Sequence, residues 1–168
     1  MRAGSGVDVI LNLHSIDLPS NSVGTVLILD TLEHVEFVRK AVEEAHRILK
    51  PNGIIVISSV MNFPIHDHPY DYWRFTPEAF KSLLRPFSSS FVDFAGASTF
   101  PHTVVGIGVK GSISKDTSDK FVKRVKYWKT HHGNPFLVKL TRIIPPILLP
   151  ILFVIYRKII DTIHVRRV

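Results

Sequence analysis

Cysteine is absent from this 168-residue sequence, so disulfides, thiolate metal sites and cysteine nucleophiles are all excluded. Also missing is an apolar run of the roughly 20 residues that a spanning helix needs. The run Ile143–Tyr156 is uncharged, but Pro145, Pro146 and Pro150 break it. No secretory leader is visible, because Met1-Arg2-Ala3-Gly4-Ser5-Gly6 leads directly into a strand-like segment with no long apolar stretch. These absences are compatible with a cytoplasmic location. Acidic residues are scarce at one end only. Residues 101–168 carry three Asp/Glu against thirteen Lys/Arg, whereas residues 1–100 carry eleven against eight. The positive charge therefore belongs to the tail, and the first hundred residues need a separate explanation.

What is present is a globular composition, 45% hydrophobic and 21% charged, in a length that suits one domain burying roughly 68–70% of its unfolded surface. Val7-Asp8-Val9-Ile10-Leu11 is short and β-branched, as a buried strand would be. The turn cluster Pro19-Ser20-Asn21-Ser22 precedes Thr25-Val26-Leu27-Ile28-Leu29, a continuous apolar run typical of a strand covered on both faces. From Glu36 to Lys50, residues Phe37, Val38, Ala41, Val42, Ala45, Ile48 and Leu49 form one stripe at helical spacing. Pro51-Asn52-Gly53 stops that helix, and Ile54–Ser58 reads as the next buried strand. Thr76-Pro77-Glu78 supplies a cap hydroxyl, a first-position proline and a first-turn acid for a second helix. Phe80, Leu83 and Leu84 face the core from it. Phe91–Phe94 and Thr103–Val109 read as two more strands, joined around Pro101. Alternating strands and helices closing on a strand pair predict an α/β fold with a largely parallel sheet.

Three stretches, in order, resemble the class I S-adenosylmethionine-dependent methyltransferase family, of the methyltransferase type 11 kind. They are Asp17-Leu18-Pro19 through Asp30-Thr31-Leu32-Glu33-His34-Val35, then Glu44-Ala45-His46-Arg47-Ile48-Leu49-Lys50-Pro51-Asn52-Gly53, then Pro64-Ile65-His66-Asp67-His68-Pro69-Tyr70-Asp71-Tyr72-Trp73-Arg74-Phe75-Thr76-Pro77-Glu78. The last resembles a block found in a subgroup associated with glycan or lipid modification. The resemblance implies a partial Rossmann-like methyltransferase sheet, mostly parallel with a terminal antiparallel strand, over residues 1–110. A basic, apolar helical extension follows over 111–168. In the family's sheet the third strand touches the second, and beyond the first strand come the fourth, fifth, seventh and sixth in that order.

The resemblance also implies S-adenosylmethionine as cofactor and a small-molecule methyl acceptor. The family's glycine-rich loop and the acid that holds the cofactor's ribose would lie upstream of Val7, and neither is present in the sequence. Asn12 stands where the family commonly has an aspartate near the adenine. With its usual neighbour missing, Val7–Leu11 is expected to slide across and pair with Thr25–Leu29, or another chain is expected to cover that open edge. A second copy or an N-terminal-half partner would serve.

Cofactor-binding positions implied by the resemblance are Asn12, Leu13, His14, Asp30, Thr31 and Leu32. His66 and His34 are the candidate bases on the acceptor side, where a base helps only if the acceptor must lose a proton. Asp71, Tyr72, Trp73 and Arg74 form the candidate acceptor wall, with Arg74 clamping an anion. A structural reading stands beside it, with Trp73 and Phe75 as core anchors and Asp71 paired to Arg74 to shape the loop. His66, Asp67, His68 and Asp71 are all metal-ligand types, but their spacing matches no metal motif and no metal is expected.

In the tail, Lys120, Lys123, Arg124, Lys126 and Lys129 alternate with Phe121, Val122, Val125, Tyr127 and Trp128. This is a basic amphipathic helix, suited either to an anionic membrane surface through residues 120–168 or to packing on the domain by its apolar side. The aromatics follow no nucleic-acid-binding module. Two functions remain open: methyl transfer to a small molecule, with a glycan or lipid precursor as the candidate acceptor, and a non-catalytic methyltransferase remnant that binds a partner or a membrane surface.

Overall fold

The computed structural model describes residues 7–66 and 69–132. Strand β1 (Val23–Leu29) leads through a single 3-10 turn (Leu32–His34) to helix α1 (Val38–Ile48) and strand β2 (Leu49–Val60). Helix α2 (Pro77–Leu83), strands β3 (Ser89–Ala97) and β4 (Phe100–Lys110), and helix α3 (Lys115–His132) follow. The sheet order is β1-β2-β4-β3. β1 runs parallel to β2, and β4 lies antiparallel between β2 and β3. Three of the four strands therefore share one direction and the last in sequence opposes them. That is the α/β, Rossmann-like arrangement expected, and its order is that of the family's fourth, fifth, seventh and sixth strands.

The helical stripe of α1 buries Val38, Ala41, Val42, Ala45 and Ile48, at the spacing that its period requires. Phe37 is not part of that stripe: it sits before the helix at the cap position and is 59% exposed. The helix stops at Ile48. Its orphan carbonyls are met by Lys110 Nζ, which donates to His46 O and Leu49 O, each at 2.8 Å, and brings a cation to the negative end of the dipole. Thr76 caps α2 by accepting from the Ala79 amide, with Pro77 next in line.

Register assigns the faces of the sheet. Ile28, Ile57 and Gly106 lie in one row, Val26, Ile55 and Gly108 in the next, and this face carries α1 and α2. A Cβ on Gly108 would lie 2.7 Å from the Phe87 ring, and one on Gly106 would lie 2.9 Å from Leu84. The two glycines let the end of α2 and the turn after it press onto β4. The other face holds Leu27, Val56, Ile107 and Phe91 in one row. α3 covers its β3 end, where Phe121 and Val122 close a small cavity of about 70 Å³ over Phe91, Ile107 and Val109. Lys129 fastens the helix there, 2.6 Å from Asp93 and over the Phe94 ring. The β1 end of that face is open, with Leu27 63% and Leu29 52% exposed.

The first expected strand does not form. Val7, Val9 and Ile10 are exposed and the segment carries no ladder. β1 is the sheet's edge among the described residues, so the expected sliding of Val7–Leu11 onto Thr25–Leu29 is overturned. A β-branched segment adopts strand geometry only against a partner. The next residues of the chain are tied down instead by α1: the Ile16 amide donates to Glu44 Oε2 at 2.9 Å, while Arg47 donates to Ile16 O at 2.7 Å and Leu18 O at 2.9 Å.

Beyond residue 110 a short link leads into α3, whose Val125 is buried while Lys120, Lys123, Arg124 and Lys126 face solvent. The basic helix therefore packs by its apolar side. Contacts divide the chain into residues 1–132 and 133–168. The apolar run Ile143–Tyr156 lies outside the described residues, and among those described no helix is long and apolar enough to cross a membrane.

Candidate functional site

Parallel strands leave their carboxyl ends side by side, the usual place for ligands in such sheets. Here β1 ends at Leu29 and β2 at Val60. Asp30 turns the chain with φ 44°, a conformation aspartate tolerates better than most residues. The Asp30 amide donates to Ser58 Oγ at 3.1 Å and to Ser58 O at 3.0 Å, and the Ser58 hydroxyl donates back to Asp30 Oδ1 at 2.9 Å. The second carboxylate oxygen of this exposed residue has no partner among the described residues. Thr31 folds its hydroxyl onto Leu29 O at 2.8 Å. Leu32 points the other way, fully buried in the core, so its side chain is not a cofactor-lining group and only its backbone remains for that role.

Glu33 is 1% exposed. Its Oε2 accepts from the Ser59 hydroxyl at 2.6 Å, and its backbone carbonyl accepts from the amides of Tyr72 at 2.8 Å and Trp73 at 3.2 Å. The long loop after β2 is thus stitched onto the turn after β1. His34 joins it as well, with Nδ1 2.8 Å from Tyr70 O. A carbonyl only accepts, so Nδ1 carries the proton and Nε2 of a neutral His34 keeps a free lone pair. The His34 and His66 rings meet edge to face, centroids 4.7 Å apart.

His66 is oriented by Asp71, whose side chain is 2% exposed. Asp71 Oδ2 accepts from the His66 amide at 2.8 Å and lies 3.2 Å from Nδ1, which is also 3.1 Å from Pro64 O. With two acceptors facing Nδ1, the free lone pair again falls on Nε2. The Arg74 guanidinium beside Asp71, with Nη2 2.8 Å from Oδ2, holds that carboxyl far below the usual carboxylate range, and the His66 amide adds to the effect.

Arg74 does not clamp an anion here. Nε donates to Phe63 O, Nη1 to Asp71 and Trp73 O, and Nη2 to Asp71 and Pro64 O. All five N–H donors of the guanidinium are thereby used, and the pair shapes the loop. Phe75 is the core anchor of the block at 6% exposure. Trp73 is not: it is 45% exposed, with Nε1 donating to Val35 O at 3.0 Å. Tyr72 is 41% exposed beside it.

Asn12, Leu13 and His14 form a tight turn, in which Asn12 Oδ1 accepts from the His14 amide at 2.9 Å. His14 Nε2 accepts from the Phe37 amide at 3.2 Å. Among the described residues no hydrogen bond or ring contact joins this turn to Asp30, Thr31 or Leu32. Asp67 and His68 lie outside the described residues. The structure therefore brings together His34, His66, Asp71, Tyr72 and Trp73 and adds Glu33 and Ser59, while Asp30 pairs with Ser58 at the neighbouring strand end. Two hydroxyls closing the otherwise apolar Ile54–Val60 run were the one sequence signal for the serines.

Residues 3–57 match the family model described as a methyltransferase domain. That match covers about a third of the chain and makes it similar there to a methyltransferase domain. No curated protein matches the chain. Solved structures are similar to part of it. An S-adenosylmethionine-dependent methyltransferase of Thermotoga maritima is 21% identical over 58% of this chain and 61% of its own, with a TM-score of 0.48. The [4+2]-cyclase SpnF is 12% identical over 62% and 57%, with a TM-score of 0.48. A phosphoethanolamine N-methyltransferase of Haemonchus contortus, complexed with phosphomonomethylethanolamine and S-adenosylhomocysteine, is 12% identical over 60% and 36%, with a TM-score of 0.49. The chain spans less than two thirds of the length of each.

Proposed function

We propose that this chain supplies the acceptor-facing part of a methyl transfer from S-adenosylmethionine to a small molecule, a glycan or lipid precursor being the acceptor class associated with the subgroup that the Pro64–Glu78 block resembles. The observation that carries this reading is the carboxylate-oriented His66, set beside His34 at the carboxyl ends of β1 and β2. The cofactor is a cation, and an exposed Asp30 with an open carboxylate oxygen suits it. Thr31, the backbone of Leu32 and the Asn12–His14 turn are the other residues assigned to hold it. When bound, the cofactor supplies a methyl group on a sulfonium.

Positioning does most of the work in such a displacement. His66 Nε2 takes the proton that the acceptor's hydroxyl or amine loses, while Asp71 keeps Nδ1–H in place and stabilises the imidazolium, the logic of a carboxylate behind a histidine base. Arg74 keeps Asp71 ionised. Tyr72 and Trp73 offer exposed ring faces to the acceptor. The open edge of β1 is where a strand from a second copy or an N-terminal-half partner completes the sheet.

Calorimetric titration of the whole chain with S-adenosylmethionine and its demethylated product tests this reading. The expected result is micromolar binding, about 8 kcal/mol. Asp30→Asn is expected to weaken the charged cofactor roughly tenfold, and the uncharged-sulfur product less. A folded chain that binds neither, yet pellets with anionic vesicles, would transfer the assignment to the second reading, a partner- or membrane-surface module. The exposed Lys120, Lys123, Arg124 and Lys126 of α3 are what favour that reading.

A further inference from the structure

The geometry points to a divalent transition-metal site, of the zinc(II) and cobalt(II) class, formed by Glu33, His34 and His66. One ligand atom from each lies within 4.8 Å of the other two. Zinc holds histidine nitrogen and carboxylate oxygen at about 2.0–2.2 Å, so closing on an ion asks the three groups to approach by roughly an ångström. His34 and His66 are half-buried on turns and have that freedom; Glu33 is the fixed member, buried under the loop.

Orientation is the second observation. A ligating imidazole almost always donates its other N–H to a carbonyl or carboxylate, which fixes the tautomer and aims the lone pair. His34 does this toward Tyr70 O, and His66 toward Pro64 O and Asp71. Glu33 is likewise held, its Oε2 accepting from Ser59. All three ligands already have their outer partners.

Charge is the third. Glu33 is a buried carboxylate that receives one hydrogen bond among the described residues, from a neutral hydroxyl. A carboxylate in that position is costly unless a cation joins it. Arg74, whose field reaches it, is already saturated by Asp71 and three carbonyls. Two neutral nitrogens and one carboxylate suit a borderline metal ion, whereas magnesium and calcium prefer all-oxygen cages. Three protein ligands leave a fourth position for water or an acceptor hydroxyl, the composition of an open zinc site. This inference goes beyond the methyl-transfer reading and does not depend on it, because the ion binds whether or not a cofactor does. Metal and base role exclude each other at His66 Nε2.

The experiment is titration of the metal-stripped full chain with cobalt(II), followed by its visible absorption, then displacement by zinc(II). One equivalent is expected to bind with micromolar or tighter affinity and a low-symmetry spectrum. His34→Ala and His66→Ala should each weaken it by about a hundredfold, and Ser59→Ala by about tenfold through its outer contact. Replacing the adjacent pair His131 and His132 by alanine should leave binding unchanged. Glu33→Gln is the buried substitution and is read only if circular dichroism shows a native fold, in which case it too should lower affinity. Absence of binding by the folded chain overturns the site, as does binding that survives the His34→Ala, His66→Ala double variant. Neither outcome bears on whether S-adenosylmethionine binds, which calorimetry reads separately.

Discussion

Asp71 is the residue on which the loop after β2 depends. It is nearly inaccessible, and it serves Arg74, the His66 amide and the His66 ring together. Removing one partner of such a pair leaves the other charge uncompensated. Asp71→Asn is therefore expected to cost about 3 kcal/mol at neutral pH. The sign of the pH dependence comes from the lowered carboxyl. A depressed folded-state value contributes stability that is complete above the ordinary carboxylate range and is lost as pH falls through and below it. The gap in melting temperature between the natural chain and Asp71→Asn should hold at neutral pH and narrow between about pH 5 and pH 2. A constant gap over that range would show that charge is not what Asp71 contributes. The three-residue spacing of Asp71 and Arg74 made their pairing readable in advance. The saturation of the guanidinium by Phe63, Pro64 and Trp73 carbonyls was not, because backbone direction in a loop leaves no trace in side-chain pattern. The burial of Glu33 was not legible for a related reason: an acid after a strand reads as a solvated turn, and its cover comes from a loop forty residues later.

At the scale of elements, periodicity was the legible part. α1 followed from its stripe and α2 from Thr76-Pro77, since both signals are local. Val7–Leu11 failed because strand composition is permissive while a ladder is a property of two segments. Gly106 and Gly108 show the same limit from the other side. Alternate glycines in an apolar strand read as weak β-formers, yet each is a close approach of the α2 layer to the sheet. Gly108→Ala would put a methyl 2.7 Å from the buried Phe87 ring and 3.0 Å from Ile55. Overpacking of this kind costs about 1–3 kcal/mol, to be read as a lower denaturation midpoint with unchanged slope. Gly24, with nothing within 4 Å of a built Cβ, supplies the control: alanine there is expected to leave the midpoint within about 0.5 kcal/mol.

At the largest scale, the two faces of the sheet are unequally covered by the described residues. α1 and α2 close one face from β1 to β4. Among the described residues α3 closes the other only above β3 and β4, leaving Thr25, Leu27 and Leu29 open on a strand that is also the edge. An apolar edge with unpaired backbone groups is a template for association unless something covers or charges it. No charged side chain lies within β1. The chain is therefore expected to self-associate at rising concentration, and Leu27→Lys with Leu29→Lys is expected to suppress it. Both side chains are more than half exposed, so the double variant should stay within about 0.5 kcal/mol of the parent in stability. Sedimentation velocity over a concentration series reads the first effect and thermal unfolding the second. Association that persists in a stable double variant would locate the contact elsewhere. Association lost together with stability would mean that these leucines are covered within the chain itself, and the open face would cease to be a partner's surface.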